Sequence, residues 1–300
     1  MRFLVYNQAI VQPGGAMSFD FNEKTVVITG GSSGIGLALA KEFARRGSFV
    51  ILAARRTEQL EAALQALPGG AAGNAAFACD VGDPAQVADL FAAVEQVRGA
   101  PDVLVNSAGM VHPGYLQALD LETFEQTMRV NYFGTVNTVK AVLPAMMQRR
   151  SGVIVNVGSM ASMFGVIGYS AYSGSKFAVR GFSEVLRMEA KPYGIQVALV
   201  LPPDTDTPQL AYENQQKPLE LKYLLPELGV IPPEQVARAV MRGIEKRRFE
   251  IVPDFGSQFI LAGYRLIGSF SYTILDWLLQ RASRRIARER AQPEMANPRA

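Results

Sequence analysis

Three side chains in one short stretch have the chemistry for a proton transfer. Ser159, Tyr172 and Lys176 lie in the run Ser159-Met-Ala-Ser-Met-Phe-Gly-Val-Ile-Gly-Tyr-Ser-Ala-Tyr172-Ser-Gly-Ser-Lys176. Tyr172 and Lys176 are four residues apart, so on a helix they share one face. An ammonium beside a phenol favours the phenolate, and the pair predicts a Tyr172 pKa lowered toward neutrality. Such a phenol can act as a general acid or base. Ser159 follows Gly152 to Val157, a β-branched run that reads as a buried strand. At the end of that strand its hydroxyl can donate to a carbonyl oxygen. Together these groups describe a site that reduces a ketone or oxidises an alcohol. The pair alone is weak evidence, because a helix carrying a surface Tyr and Lys is common.

The elements around these residues strengthen the case. Thr25 to Thr29 is a short apolar strand, followed by Gly30-Gly-Ser32-Ser33-Gly34-Ile35-Gly36 and a helical pattern from Leu37 to Arg46. Strand, glycine-rich turn and helix in succession make a dinucleotide-binding opening. The glycines let the backbone approach a pyrophosphate, and the helix N-terminus offers unpaired N–H groups. Phe49 to Ala53 is the second strand, and Arg55-Arg56 follow where an NAD site usually places an acid. Arg55, with Ser32 or Ser33, suits a 2′-phosphate, so the cofactor expected is NADPH rather than NADH.

Thr57 to Leu67 reads as a helix, 68–74 as a loop, and Ala75 to Ala78 as a strand ending at Cys79-Asp80-Val81. Asp80 could accept from an adenine amino group, with Val81 beside it; Asp80 could equally serve a turn or cap. Pro84 to Val97 is helical, and Asp102 to Val105 is the fourth strand. Asn106-Ser-Ala108-Gly109 then supplies small residues that permit close cofactor approach. A long helical pattern runs from Leu121 to Gln148 with Asn131 inside it, an unfavourable place for Asn. Its amide could bind a water that feeds protons to Lys176. A second long helix runs from Ala171 to Tyr193, the sixth strand from Ile195 to Leu201, and a seventh lies near Phe249 to Val252. Alternating strands and helices predict a doubly wound α/β Rossmann fold on a parallel seven-stranded sheet.

Composition sets the outer bounds. Three hundred residues with 49% hydrophobic content can fill one large core. A net charge of +3 gives no argument for nucleic acid. The single cysteine, Cys79, excludes an internal disulfide and fits a reducing compartment. The single histidine, His112, lies in a loop without ligand-spaced neighbours, so no metal is expected. The first twenty residues lack the apolar core of a secretory signal. Residues 1–20 read as an extension, and Met17 is an alternative start. The catalytic domain spans 21–254.

These motifs taken in order resemble the short-chain dehydrogenases/reductases. The resemblance covers about residues 22–252 and rests on Thr29-Gly30-x-x-x-Gly34-x-Gly36, Asn106-Ser-Ala-Gly109, Asn131, Ser159 and Tyr172-x-x-x-Lys176. The intervals from Asn131 to Ser159 and from Ser159 to Tyr172 are the family's usual ones. The resemblance implies an Asn131-Ser159-Tyr172-Lys176 tetrad. In it Tyr172 protonates the substrate oxygen, Ser159 polarises it, Lys176 lowers the Tyr pKa and holds the nicotinamide ribose, and Asn131 supports a proton relay. Asn106-Ser departs from the commoner Asn-Asn. After the sixth strand comes Pro202-Pro203-Asp-Thr205-Asp-Thr207-Pro208, where most relatives carry Pro-Gly. This run is similar to the 3-ketodihydrosphingosine reductase branch, which implies a long-chain lipid ketone as substrate. Pro203 stiffens the turn, and Thr205 and Thr207 can bond the nicotinamide carboxamide or the phosphate side. Steroid, retinoid and 3-oxoacyl ketones remain alternatives, as does a non-catalytic NADP(H) sensor. The family also implies a homo-oligomer.

From Phe255 to Gln280 the chain turns apolar and aromatic, interrupted by Arg265 and Asp276. No run is long enough to span a bilayer. Arg281, Arg284, Arg285, Arg288 and Arg290 follow. An apolar stretch with a Trp and then arginines suits a helix lying in a membrane interface. A substrate lid or a dimer contact would use the same composition. The expected extension is 255–290, with 291–300 disordered. The expected location is peripheral on the cytoplasmic side of a membrane, or the cytoplasm.

Overall fold

The computed structural model describes residues 19–224 and 229–291. The expected N-terminal extension, Met17 included, and the expected disordered tail lie almost wholly outside the described residues.

The chain begins with β1 (Thr25–Thr29), α1 (Gly34–Arg45), β2 (Phe49–Ala54), α2 (Thr57–Gln65), α3 (Gly70–Gly73) and β3 (Ala75–Ala78). It continues through α4 (Pro84–Arg98), β4 (Val103–Asn106), α5 (Leu121–Met128), a π-helical turn (Arg129–Phe133) and α6 (Gly134–Arg149). Next come β5 (Gly152–Val157), a 3-10 turn (Met160–Ser162), α7 (Ser170–Ala190) and β6 (Ile195–Val200). Then follow α8 (Pro208–Gln216), α9 (Leu221–Leu224), α10 (Pro233–Glu245), β7 (Glu250–Ile251), α11 (Phe255–Ile267) and α12 (Phe270–Ala291).

All seven strands pair in parallel in the order β3-β2-β1-β4-β5-β6-β7. The β-branched composition of the central strands suits burial on both faces, and every residue of β1, β4 and β5 is buried. Alternation along β1 sends Val26 and Ile28 to one layer and Val27 to the other. The first layer is filled by Leu39 and Phe43 of α1 and Val240 and Ile244 of α10. The second is filled by Leu90 and Val94 of α4 and Val139 and Met146 of α6.

Strand order reverses between β1 and β4, so the connections leaving these two strands part to opposite sides. In open α/β sheets that parting opens a crevice beyond the strands' carboxyl ends. The register keeps those ends level, with Thr29 opposite Asn106 and Asn106 opposite Asn156. The motifs therefore converge on one edge of the sheet.

Three elements differ from the sequence expectation. The helix expected over 121–148 contains the π turn, which inserts an extra residue into the helical ladder at Asn131. The glycine-rich loop at 68–74 holds the short α3, entered through Gly69 in the left-handed region (φ 82°). The seventh strand is only Glu250–Ile251.

Candidate active site

A row of buried polar side chains ties the sheet ends together. Thr138 Oγ1 donates to Asn106 Oδ1 at 2.7 Å. Asn106 Nδ2 donates to Asn156 Oδ1 at 2.9 Å, and Asn156 Nδ2 to Ser183 Oγ at 2.9 Å. These bonds join β4, β5, α6 and α7 in a medium where an unpaired amide would be costly. They also correct one expectation. Asn106 is a brace rather than a cofactor contact, because both ends of its amide are taken inside the core. Ser107, Ala108 and Gly109 line the cleft instead.

Above this brace is a cleft of about 910 Å³. Ser159, Tyr172 and Lys176 all line it. Ser159 caps the 3-10 turn: its Oγ accepts from the Ala161 N–H at 3.1 Å, while its own N–H donates to Ser162 Oγ at 3.1 Å. As a donor the hydroxyl is directed toward the Tyr172 phenol, so both groups can meet one substrate oxygen. Lys176 is buried, and its Nζ donates to the Val157 carbonyl at 2.8 Å. That carbonyl ends β5, so the strand holds the lysine in place. The Lys176 Nζ is 5.7 Å from the centre of the Tyr172 ring.

The electrostatics of this pair run opposite to the sequence expectation. Burial raises the Tyr172 pKa, and the negative charge of Glu213 raises it further. Ser159 and Gln209 lie beside the phenol and pull the other way, without reversing the shift. Burial also lowers Lys176, to about 8. The sequence showed the pair but not the desolvation, which disfavours both charged forms at once. A phenol raised in this way stays protonated across the neutral range, the state a proton donor needs.

Asn131 is also placed differently in detail. Its Oδ1 accepts from the Met110 N–H at 2.8 Å, and its Nδ2 donates to the Met110 carbonyl at 2.9 Å and Ser175 Oγ at 2.9 Å. Both amide hydrogens are in use, which leaves one lone pair of Oδ1 as the only capacity for the expected water. The side chain locks the segment after β4 to α7, one residue before Lys176. A π turn commonly marks a functional site, and here it turns this amide inward.

The opposite end of the cleft fits a dinucleotide. Gly30 has φ 65°, and a Cβ there would stand 2.7 Å from the Ala108 backbone nitrogen. At Gly36 a Cβ would run into the Gly30 carbonyl, so this glycine seats α1 on the turn. Helix α1 starts at Ser33 without a side-chain cap, whereas α4 is capped by Asp83 and α5 by Asp120. Its first N–H groups are left for an external anion. Gly30, Ser32, Ser33, Gly34 and Ile35 all line the cleft. So do Arg55, Asp80, Val81, Pro202, Pro203, Thr205 and Thr207. Arg55 is exposed and forms no ion pair among the described residues. Asp80 Oδ1 accepts from the Gly82 N–H at 2.9 Å, which makes the turn.

The segment after β6 departs from its expected use at one residue. Thr205 is buried, and its hydroxyl donates to the Pro203 carbonyl at 2.9 Å. It shapes the loop rather than offering a donor. Thr207 caps α8 by accepting from the Leu210 N–H at 3.2 Å, so its proton stays available.

Three cleft residues were not singled out in the sequence. Glu213 is buried in α8, with Tyr169 Oη donating to its Oε2 at 2.9 Å and Gln209 Nε2 to its Oε1 at 3.1 Å. The i,i+4 spacing of Gln209 and Glu213 was the available signal. The histidine, His112, contacts the Tyr212 hydroxyl and does not line the cleft.

Residues 24–218 match the model of the short chain dehydrogenase family. The chain belongs to that family of NAD(P)-dependent oxidoreductases. Among its relatives, the 3-ketodihydrosphingosine reductase of Bos taurus is 41% identical over 229 residues, covering 75% of this chain and 69% of that protein. The enzyme of the same name from Dictyostelium discoideum is 32% identical over 279 residues, covering 87% and 84%. A solved short chain dehydrogenase/reductase from Burkholderia phymatum, in complex with NAD, is 25% identical. It superposes with a TM-score of 0.74 over 83% of this chain and 95% of its own.

Proposed function

We propose that the protein uses NADPH to reduce 3-oxosphinganine, or a closely similar long-chain ketone, to the alcohol. The observation that carries this reading is the convergence of Ser159, Tyr172 and Lys176 in a cleft with an apolar stretch along one wall. Phe164, Val166, Leu219, Leu221, Val230 and Ile260 line that wall. The identity to sphingoid ketone reductases supports the substrate. When bound, the cofactor supplies a hydride to the ketone carbon. The protein's part is to hold the ketone oxygen against Ser159 and Tyr172, deliver the Tyr172 proton to it, and exclude water. Incubating the purified protein with NADPH and 3-oxosphinganine, beside steroid, retinoid and 3-oxoacyl ketones, tests the assignment. Preferential oxidation of NADPH with 3-oxosphinganine supports it; preference for another ketone replaces it.

The NADPH preference rests on Arg55 at the ribose end. Arg55→Asp should shift the ratio of kcat/KM for NADPH over NADH by about a hundredfold or more toward NADH, since a bidentate guanidinium–phosphate contact becomes a repulsion. Paired kinetics with the two cofactors give the ratio, and an unchanged value contradicts the role.

The C-terminal helices carry the membrane proposal. On α11, Phe255, Phe259 and Leu266 share one face and are 81%, 72% and 87% exposed. On α12, Phe270, Ile274 and Trp277 form a similar stripe, continued by Arg281, Arg284 and Arg288. No helix among the described residues is long and apolar enough to cross a membrane. An aromatic stripe that runs into arginines matches an acyl boundary and anionic headgroups. Because Ile260 of α11 also lines the cleft, a lipid could pass from that surface to the site. Flotation with phosphatidylserine-containing vesicles should bring up the wild-type protein. The Phe259→Ser, Trp277→Ser double variant should float several-fold less, and equal flotation contradicts the contact. A homo-oligomer is proposed through α7, whose Phe177, Val185 and Met188 are exposed.

A further inference from the structure

Glu213 is the one buried carboxylate in the described part of the cleft, being only 8% exposed. It sits one side chain from the chemistry. Its Oε1 is bonded to Gln209, which also lies beside the Tyr172 hydroxyl. Its Oε2 is bonded to Tyr169, whose ring centre is 5.9 Å from that of Tyr172. Both partners are neutral, and Glu213 forms no ion pair with the described residues. The nearby Lys217 is paired with Asp204 at 2.6 Å. Two neutral donors satisfy about half of a carboxylate's acceptor capacity. A buried carboxylate left without a cation is costly, and here the unused capacity belongs to a side chain that lines the cleft. Burial raises the Glu213 pKa, and a cation placed beside the carboxylate would offset that cost.

We infer that Glu213 reads the substrate's amine: it binds a primary ammonium on the carbon next to the ketone, and so selects α-amino ketones over plain ketones. The inference rests on the proposed function, because 3-oxosphinganine carries its amine on that neighbouring carbon. The geometry follows from the substrate's covalent structure. With the ketone oxygen between Ser159 and Tyr172, an amine on the adjacent carbon lies three bonds from that oxygen and two from the ketone carbon. Gln209 sets a matching short interval between the phenol and the carboxylate. Tyr169 and Gln209 fix the carboxylate's direction, so the ammonium meets a pre-oriented acceptor. The alkyl chain leaves on the other side, toward the apolar wall.

The test compares 3-oxosphinganine with 1-hydroxyoctadecan-3-one, the same chain without the amine. Wild-type protein should favour the amino ketone by about a hundredfold in kcat/KM, because a site built for a charged donor rejects an analogue that lacks it. Glu213→Gln keeps the shape and removes the charge, and should bring that ratio close to one. An equal loss on both substrates would overturn the inference, as would a wild-type enzyme that uses both ketones equally while reducing them well. Wild-type protein that reduces neither ketone would overturn the proposed function, and this inference with it. A measurement on the wild type covers a variant that fails to fold. Octadecan-2-amine should inhibit at least about tenfold more tightly than octadecan-2-ol; equal inhibition overturns the inference.

Discussion

Tyr172→Phe should lower kcat for ketone reduction by about a thousandfold while NADPH binding stays as in the wild type. General acid catalysis by a positioned side chain contributes about 10²–10⁴ in rate, and Phe removes the hydroxyl proposed to provide it. The ring itself is retained, so packing against Tyr169 survives. The glycine turn proposed for the cofactor's phosphates, Gly30 to Ile35, lies on a different loop. The loss therefore belongs in kcat. Steady-state kinetics combined with NADPH fluorescence titration separate the two quantities. Retained turnover would mean that another group donates the proton.

Lys176→Met should cost about a hundredfold in kcat/KM and remove the alkaline limb of the pH profile. In the wild type, burial sets the Lys176 pKa at about 8. Below that pH the side chain is an ammonium that stabilises negative charge developing on the phenolic oxygen. Above it the charge is gone. Reduction should thus decline as pH rises through about 8. Tyr172 cannot be the source of that limb, because burial and Glu213 raise its pKa and keep it protonated. Measuring kcat/KM against pH with a ketone that has no amine avoids titration of the substrate. A limb that persists unchanged in Lys176→Met would contradict the assignment. The same shift acts on stability. An unfolded lysine titrates near 10.4, so between about 8 and that value the unfolded chain binds more protons. This contribution to stability is lowest below the folded pKa and rises with pH through the window. Tyr172 has the opposite sign, since its folded pKa is raised and its contribution is lost as pH climbs above its unfolded value.

Much of the architecture was legible because its signals are local. Buried parallel strands read as β-branched runs, and the glycines between β1 and α1 stand where a Cβ would strike Ala108 or the Gly30 carbonyl. The Tyr172–Lys176 spacing places both side chains in one cleft. What the sequence hid depends on long-range geometry. The π turn at Asn131 shifts the helix by one residue, and neither composition nor period shows that shift. The amide of Asn106 turns into the core because Asn156, fifty residues later, waits for it. The direction of the Tyr172 shift was misjudged because proximity of a lysine is readable and desolvation is not. Glu213 was invisible for the same reason: in α8 it resembles any solvated helical glutamate until the fold buries it beside Tyr169.

The most direct test of the central claim follows one atom. Incubating the protein with 3-oxosphinganine and NADPH deuterated at both C4 positions, then analysing the lipid by mass spectrometry, reports where the hydride goes. The account predicts sphinganine carrying one deuterium on carbon 3 from the wild type, and an initial rate of labelling about a thousandfold lower from Tyr172→Phe. Unlabelled product, or equal rates of labelling by the two proteins, would contradict it.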